Sequence, residues 1–198
     1  AISCNTAFAW LGVQLGDEAL RKQAELMGFD TSFQIPLKAA TSRFPAEIDA
    51  PQTALSAIGQ FEVRATAMQM AMVGAAIGNN GVTMKPYLVQ EVRGPDLAIL
   101  QTTEPTRFAD AMTPLNAAQL TEMMVNVVEN GTGSNAQISG VRVAGKTGTA
   151  ETDNERPAVA WFVAFAPAQS PKVAVAVVIE ESGATEISGN GLAAPIAR

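Results

Sequence analysis

The sequence contains no histidine, one cysteine, one tyrosine and two tryptophans. The missing imidazole excludes Ser-His-Asp and Cys-His nucleophile pairs, HExxH zinc sites and the usual near-neutral proton shuttle. Acid/base chemistry must then run on Lys, Asp, Glu, Tyr or a relaying hydroxyl. A lone Cys4 rules out an intrachain disulfide and leaves the compartment unread from cysteine usage. Basic residues are scarce too, 13 Lys+Arg against 19 Asp+Glu for a net charge of -6. They do not cluster, so no nucleic acid is expected as a partner. The longest apolar run, Val159 to Ala168, is broken at Pro167. It falls far short of the about 20 residues that a bilayer-spanning helix needs.

What is present suits one domain, or one and a fraction. A chain of 198 residues, 47% apolar and 16% charged, buries roughly 70% of its unfolded surface without disulfide or metal support. Asn5 or Thr6 is placed to cap a helix through Leu15, and Gly16-Asp17 opens a second that Gly28 closes. From Asp30 to Pro51 the periodicity vanishes among Pro36, Pro45 and Pro51, which predicts a long irregular connection. Ala65 to Ile77 predicts a helix with Met68, Met72, Ala75 and Ala76 as its packing stripe.

Tyr87 to Arg93 and Leu97 to Thr103 flank Gly94-Pro95-Asp96 as a small hairpin, and Thr113-Pro114 starts a helix that ends at Asn130-Gly131. The last third predicts three antiparallel strands, Val141 to Gly145, Val159 to Ala166 and Val173 to Glu180, and then a short closing helix from Ala193. The fold class is α+β, with no internal repeat and no linker rich enough to divide residues 1–198 into independent domains.

Two short motifs carry the chemistry, Ser3-Cys4-Asn5 and Lys146-Thr147-Gly148-Thr149. Alone, the first is the sequence of many helix caps and the second that of many strand ends. Together they make an anion-binding and proton-relaying set. Gly148 lets a substrate backbone lie along the strand, Lys146 supplies positive charge, and the Thr147 and Thr149 hydroxyls donate to a carboxylate. The Ser3 hydroxyl can relay a proton, and the Asn5 amide can both donate and accept. With histidine absent, a Ser/Lys relay is the remaining route to acyl transfer.

Ser-x-Asn followed by Lys-Thr-Gly resembles the second and third signature motifs of the penicillin-binding proteins and serine β-lactamases. The resemblance continues, in order, through Ile58-Gly59-Gln60, Ala67 to Ala71, Asn79-Asn80-Gly81, Lys85-Pro86-Tyr87, Glu129 to Gly133, Ala144 to Glu151, Trp161 to Pro167 and Ala193 to Ile196. These segments look like the class B monofunctional transpeptidases. Ser3 to Phe8 and Phe165 to Val177 look most like the actinobacterial penicillin-binding protein A type.

The resemblance implies a penicillin-binding transpeptidase or serine β-lactamase-like fold, an antiparallel sheet packed by helices beside an all-helical lobe. It implies catalytic roles for Ser3, Asn5 and Lys146, and carboxylate binding by Thr147 and Thr149 beside Gly148. The Thr149 N–H would form half of an oxyanion hole. The implied activity is peptidoglycan D,D-transpeptidation through a serine acyl-enzyme, with stem peptides and β-lactam antibiotics as ligands and no cofactor or metal.

The family also uses a Ser-x-x-Lys nucleophile motif, and here no Lys has a Ser three positions earlier. The expectation is therefore the C-terminal part of a transpeptidase domain, inactive alone and incomplete at its N-terminal side. Its partner would be the N-terminal remainder of the same protein, carrying Ser-x-x-Lys. An anchor there would hold the protein on the extracytoplasmic face of the cell membrane, in reach of division or elongation machinery. Gln60-Phe61 departs from the family, in which Gly commonly follows this Gln. The alternative is a non-catalytic scaffold or ligand-binding module with the same fold. A β-lactamase needs a deacylating carboxylate, for which no family motif is visible.

Overall fold

A computed structural model describes residues 1–37, 39–152, 157–180 and 182–198. Lys38, in the irregular connection, and Asp153 and Asn154, in the loop before the second late strand, lie outside the described residues. The chain opens with α1 (Asn5–Leu15) and α2 (Asp17–Leu26), and Gly28 turns it at φ +101°. The residue at the cap of α1 is Cys4, and no side chain caps it. This corrects the expected cap at Asn5 or Thr6. Ser3, with φ 54°, turns the chain into the helix, so Asn5 is already its first residue.

After an irregular stretch, α3 (Ala50–Ser56) begins on a capping box in which Asp49 and Gln52 satisfy each other's backbone N–H. Pro51 belongs to this helix and not to the connection before it. Proline is tolerated in a first helical turn because its missing N–H has no intrahelical partner to lose. The α1–α3 crossing is close enough that a Cβ on Gly12 would collide with the Ala57 Cβ.

Helix α4 (Ala67–Gly78) is capped by the Thr66 hydroxyl, which accepts from the Gln69 N–H. Met72 and Ala76 are buried as expected, whereas Ala75 is exposed and the buried face instead takes Gln69 and Gly74. Gln69 can be buried because its Nε2 donates to the Met27 carbonyl at 2.7 Å, which fastens α4 to the end of α2. Gly74 lets α4 lie close to β6, since a Cβ there would sit 3.0 Å from the Val163 Cγ1.

Strand β1 (Val82–Met84) pairs with β4 (Arg107–Asp110), a pairing that the sequence does not announce because each strand has only three or four residues. Between them lies the expected hairpin, β2 (Glu91–Arg93) with β3 (Ile99–Thr102), shorter than its sequence runs. Helix α5 (Pro114–Asn130) is capped by Thr113 as expected. A 3₁₀ turn at Ser134–Ala136 leads to the main sheet.

That sheet has the antiparallel order β5 (Ala144–Ala150), β6 (Val159–Ala166), β7 (Val173–Ile179). The first strand starts three residues later than expected and runs through Lys146-Thr147-Gly148-Thr149. Val141 instead bridges back to Ile138, which draws the first β-branched residues into a turn. Phe162 is fully buried with Val128, Val143, Ala193 and Ala194, and Phe165 with Met124, Val125 and Ala144. Each ring contributes about 1.5–3 kcal/mol of burial. A π-helical turn (Gly189–Ala193) and α6 (Ala194–Ala197) close the chain against β6.

Phe61 adopts φ 61°, the left-handed region that costs a non-glycine residue roughly 1–2 kcal/mol. Glycine would adopt that conformation without the cost, which fits the glycine that the family resemblance leads one to expect after Gln60.

Gly12→Ala should part α1 from α3. Overpacking of about 1–3 kcal/mol exceeds the helix-propensity gain of about 1 kcal/mol. Urea unfolding should show a lower midpoint, and an unchanged or higher one would mean that the crossing is not rigid.

Candidate active site

Ser3 and Lys146 are 143 residues apart in sequence, and the fold brings the Lys146 Nζ to 3.0 Å from the Ser3 Oγ, to which it donates. The same ammonium donates to the Thr147 carbonyl at 2.7 Å. Two structural devices set this meeting. Antiparallel pairing of Lys146 with Val163, Thr147 with Phe162 and Gly148 with Trp161 fixes the strand. The Ala1–Ser3 segment is seated on the turn that ends α5, where the Thr132 N–H donates to the Ala1 carbonyl at 3.3 Å. A Cβ on Gly131 would lie 2.7 Å from that carbonyl oxygen, so only glycine allows the seat.

Strand β5 is an edge strand. Its second edge pairs with no strand among the described residues, and its backbone N–H and C=O groups there can hydrogen-bond an extended ligand. Gly148 keeps this stretch low. A Cβ there would stand 3.1 Å from the Trp161 Cβ, and the turn at Gly189 packs directly on the Gly148 backbone. Thr149 is exposed and Thr147 half-buried.

The Thr147 hydroxyl lies 2.8 Å from that of Thr132. The motif reading did not assign Thr132 a role. The available signal was its place in Glu129 to Gly133, immediately after a helix end. Asn5 sits in the first turn of α1 with its side chain exposed, and among the described residues none hydrogen-bonds it. The structure therefore brings Ser3, Lys146 and Thr147 into one connected set, with Gly148 and Thr149 further along the same strand. Cys4, the middle residue of the first motif, is exposed and free.

Burial lowers the Lys146 pKa from the ordinary 10.5, because removing an ammonium from water disfavours its charged form. At a given pH more of this amine is neutral and able to accept a proton than for a lysine in water. Since the unfolded chain holds the proton more tightly, stability rises with pH between the lowered value and 10.5, and the full cost of the buried charge applies below that window. Urea unfolding of wild type and Lys146→Met from about pH 7 upward should show the stability difference moving towards the wild type. A difference independent of pH would contradict the assignment.

Residues 1–198 match the family described as penicillin binding protein transpeptidase domain. The chain is 47% identical to peptidoglycan D,D-transpeptidase PbpA of Mycolicibacterium smegmatis over 100% of its own length and 41% of the relative's. Its fold matches the crystal structure of PBPA from Mycobacterium tuberculosis with a TM-score of 0.89 and 43% identity, over 98% of this chain and 47% of that one. An imipenem acyl-enzyme complex of penicillin-binding protein A from M. tuberculosis matches with a TM-score of 0.89 and 45% identity, over 99% of this chain and 44% of that one. The chain therefore spans less than half the length of these relatives. A match over the whole chain, joined to an edge strand that carries Lys-Thr-Gly against Ser-x-Asn, places the protein in the penicillin-binding transpeptidase family.

Proposed function

We propose that this chain forms the Ser-x-Asn and Lys-Thr-Gly side of a peptidoglycan D,D-transpeptidase site. The observation that carries the reading is the 3.0 Å hydrogen bond from Lys146 to Ser3 beside a bare strand edge. An extended stem peptide pairs with β5, its terminal carboxylate held by the Thr147 and Thr149 hydroxyls under the positive field of Lys146. The serine of a Ser-x-x-Lys motif outside this chain gives its proton to the lysine of that motif as it attacks the peptide carbonyl, and the Thr149 N–H stabilises the oxyanion. As the C–N bond breaks, Ser3 hands its proton to the departing amine and regains the proton given up by the nucleophile, relayed through Lys146, whose lowered pKa eases the exchange. A second stem-peptide amine then takes the acyl group from the serine ester. β-Lactams enter as mimics of the same carboxylate-bearing strand and stop at the ester, as the relative's imipenem acyl-enzyme complex illustrates.

Helix α1 supports a larger assembly around this site. Phe8, Trp10, Leu11 and Leu15 are all exposed along it, with Trp10 at 64%. Burial of such a surface is worth about 25 cal/mol per Å², and we assign its cover to the segment that carries Ser-x-x-Lys. No described helix is long and apolar enough to cross a membrane. The proposed anchor to the extracytoplasmic face therefore belongs to that other segment, as does any docking to division or elongation machinery.

Lys146→Ala in the full natural protein should slow acylation by labelled penicillin at least about tenfold. Acylation at the wild-type rate would remove Lys146 from the role. The 198-residue chain incubated alone with penicillin should show no stable adduct by intact mass, since none of its lysines follows a serine at the Ser-x-x-Lys spacing. An adduct on any of its serines would place the nucleophile inside this chain.

A further inference from the structure

Thr132 touches both walls of the site through different atoms. Its backbone N–H holds the Ala1 carbonyl at 3.3 Å, two residues before Ser3, and its hydroxyl meets the Thr147 hydroxyl at 2.8 Å. Gly131 and Gly133 on either side are fixed by contact, with a Cβ on the first 2.7 Å from the Ala1 oxygen and on the second 3.2 Å from the Phe162 ring. The Thr132 backbone is thereby pinned between the N-terminal segment and the core. Both threonines are half-buried, so water competes only in part for their hydroxyls.

A hydroxyl has one proton and two lone pairs, so only one of this pair donates. When Thr147 donates to Thr132, its proton is spent and it offers the cleft a lone pair, which repels a carboxylate. When Thr132 donates to Thr147, the Thr147 proton is released for the ligand and the two bonds strengthen each other in series. An anionic ligand selects the second arrangement. We propose that Thr132 is a positioning residue that sets Thr147 as a donor and thereby gives the site its preference for carboxylate-bearing acyl donors. This inference rests on the acyl-transfer reading of the site and deepens it. It concerns which end of the substrate is recognised, and Thr132 takes no part in the covalent step.

The test measures second-order acylation constants in the full natural protein for benzylpenicillin and for benzylpenicillin methyl ester, which lacks the anion. Thr132→Val keeps the shape and the N–H to Ala1 but removes the hydroxyl. The ratio of acid to ester should fall about three- to tenfold, the value of one hydrogen bond, with the loss falling chiefly on the acid. Thr132→Ser should restore the ratio to within about twofold, since it returns the donor. If Thr132→Val fails to fold, Thr132→Ala reads the same ratio.

In a Thr147→Val background the Thr132→Val change should have no further effect on the ratio, because the partner through which it acts is gone. Equal losses for acid and ester, or an unchanged ratio in a folded variant, would overturn the proposal and leave the acyl-transfer reading standing. A wild-type protein that takes up neither compound would overturn both.

Discussion

The seven-residue ladder between β5 and β6 holds Lys146 and the three residues after it, and among the described residues no strand pairs with them from the other side. Everything at the site depends on that asymmetry. The β6 side fixes the strand through backbone hydrogen bonds and through Phe162 and Phe165, two fully buried rings from the middle strand of the sheet. The other edge keeps its donors and acceptors for a ligand. A strand anchored on both sides would be equally rigid but would have no backbone left to offer, and an unpaired strand would have no fixed register.

The electrostatics follow from the same placement. Lys146 lies close enough to the core for burial to lower its pKa, yet its Nζ still reaches Ser3 and the Thr147 carbonyl. It keeps hydrogen-bond partners, and among the described residues no carboxylate forms an ion pair with it, so burial sets the direction of the shift. Arg142 shows the contrast within the same protein. It is held by Glu122 at 2.9 Å and Glu129 at 3.5 Å, its pKa is raised chiefly through the hydrogen bond to Glu122, and it stays committed to the surface of α5.

Much of this was legible from residue types. Thr113-Pro114 announces its helix because capping and the first-turn proline are local effects. Gly94-Pro95-Asp96 announces its hairpin for the same reason. The misreadings fall where tertiary contacts override local preference. Pro51 reads as a breaker until the Asp49–Gln52 box makes it the start of α3. The β-branched pair Val141 and Val143 draws the expected strand too early, while the strand itself runs through small residues whose partners lie on β6. In the candidate site, Ser3, Lys146 and Thr147 were readable as motif members. Thr132 was not, because its importance comes from a hydroxyl partner fifteen residues away and a backbone partner at the far end of the chain.

Ser3 enters the site from the end of α1, and α1 is set against α3 where Gly12 meets Ala57. That crossing touches neither motif, yet the helix that leads out of Ser3 packs on it, so the placement of Ser3 depends on a side chain that is missing far from the strand a ligand would pair with.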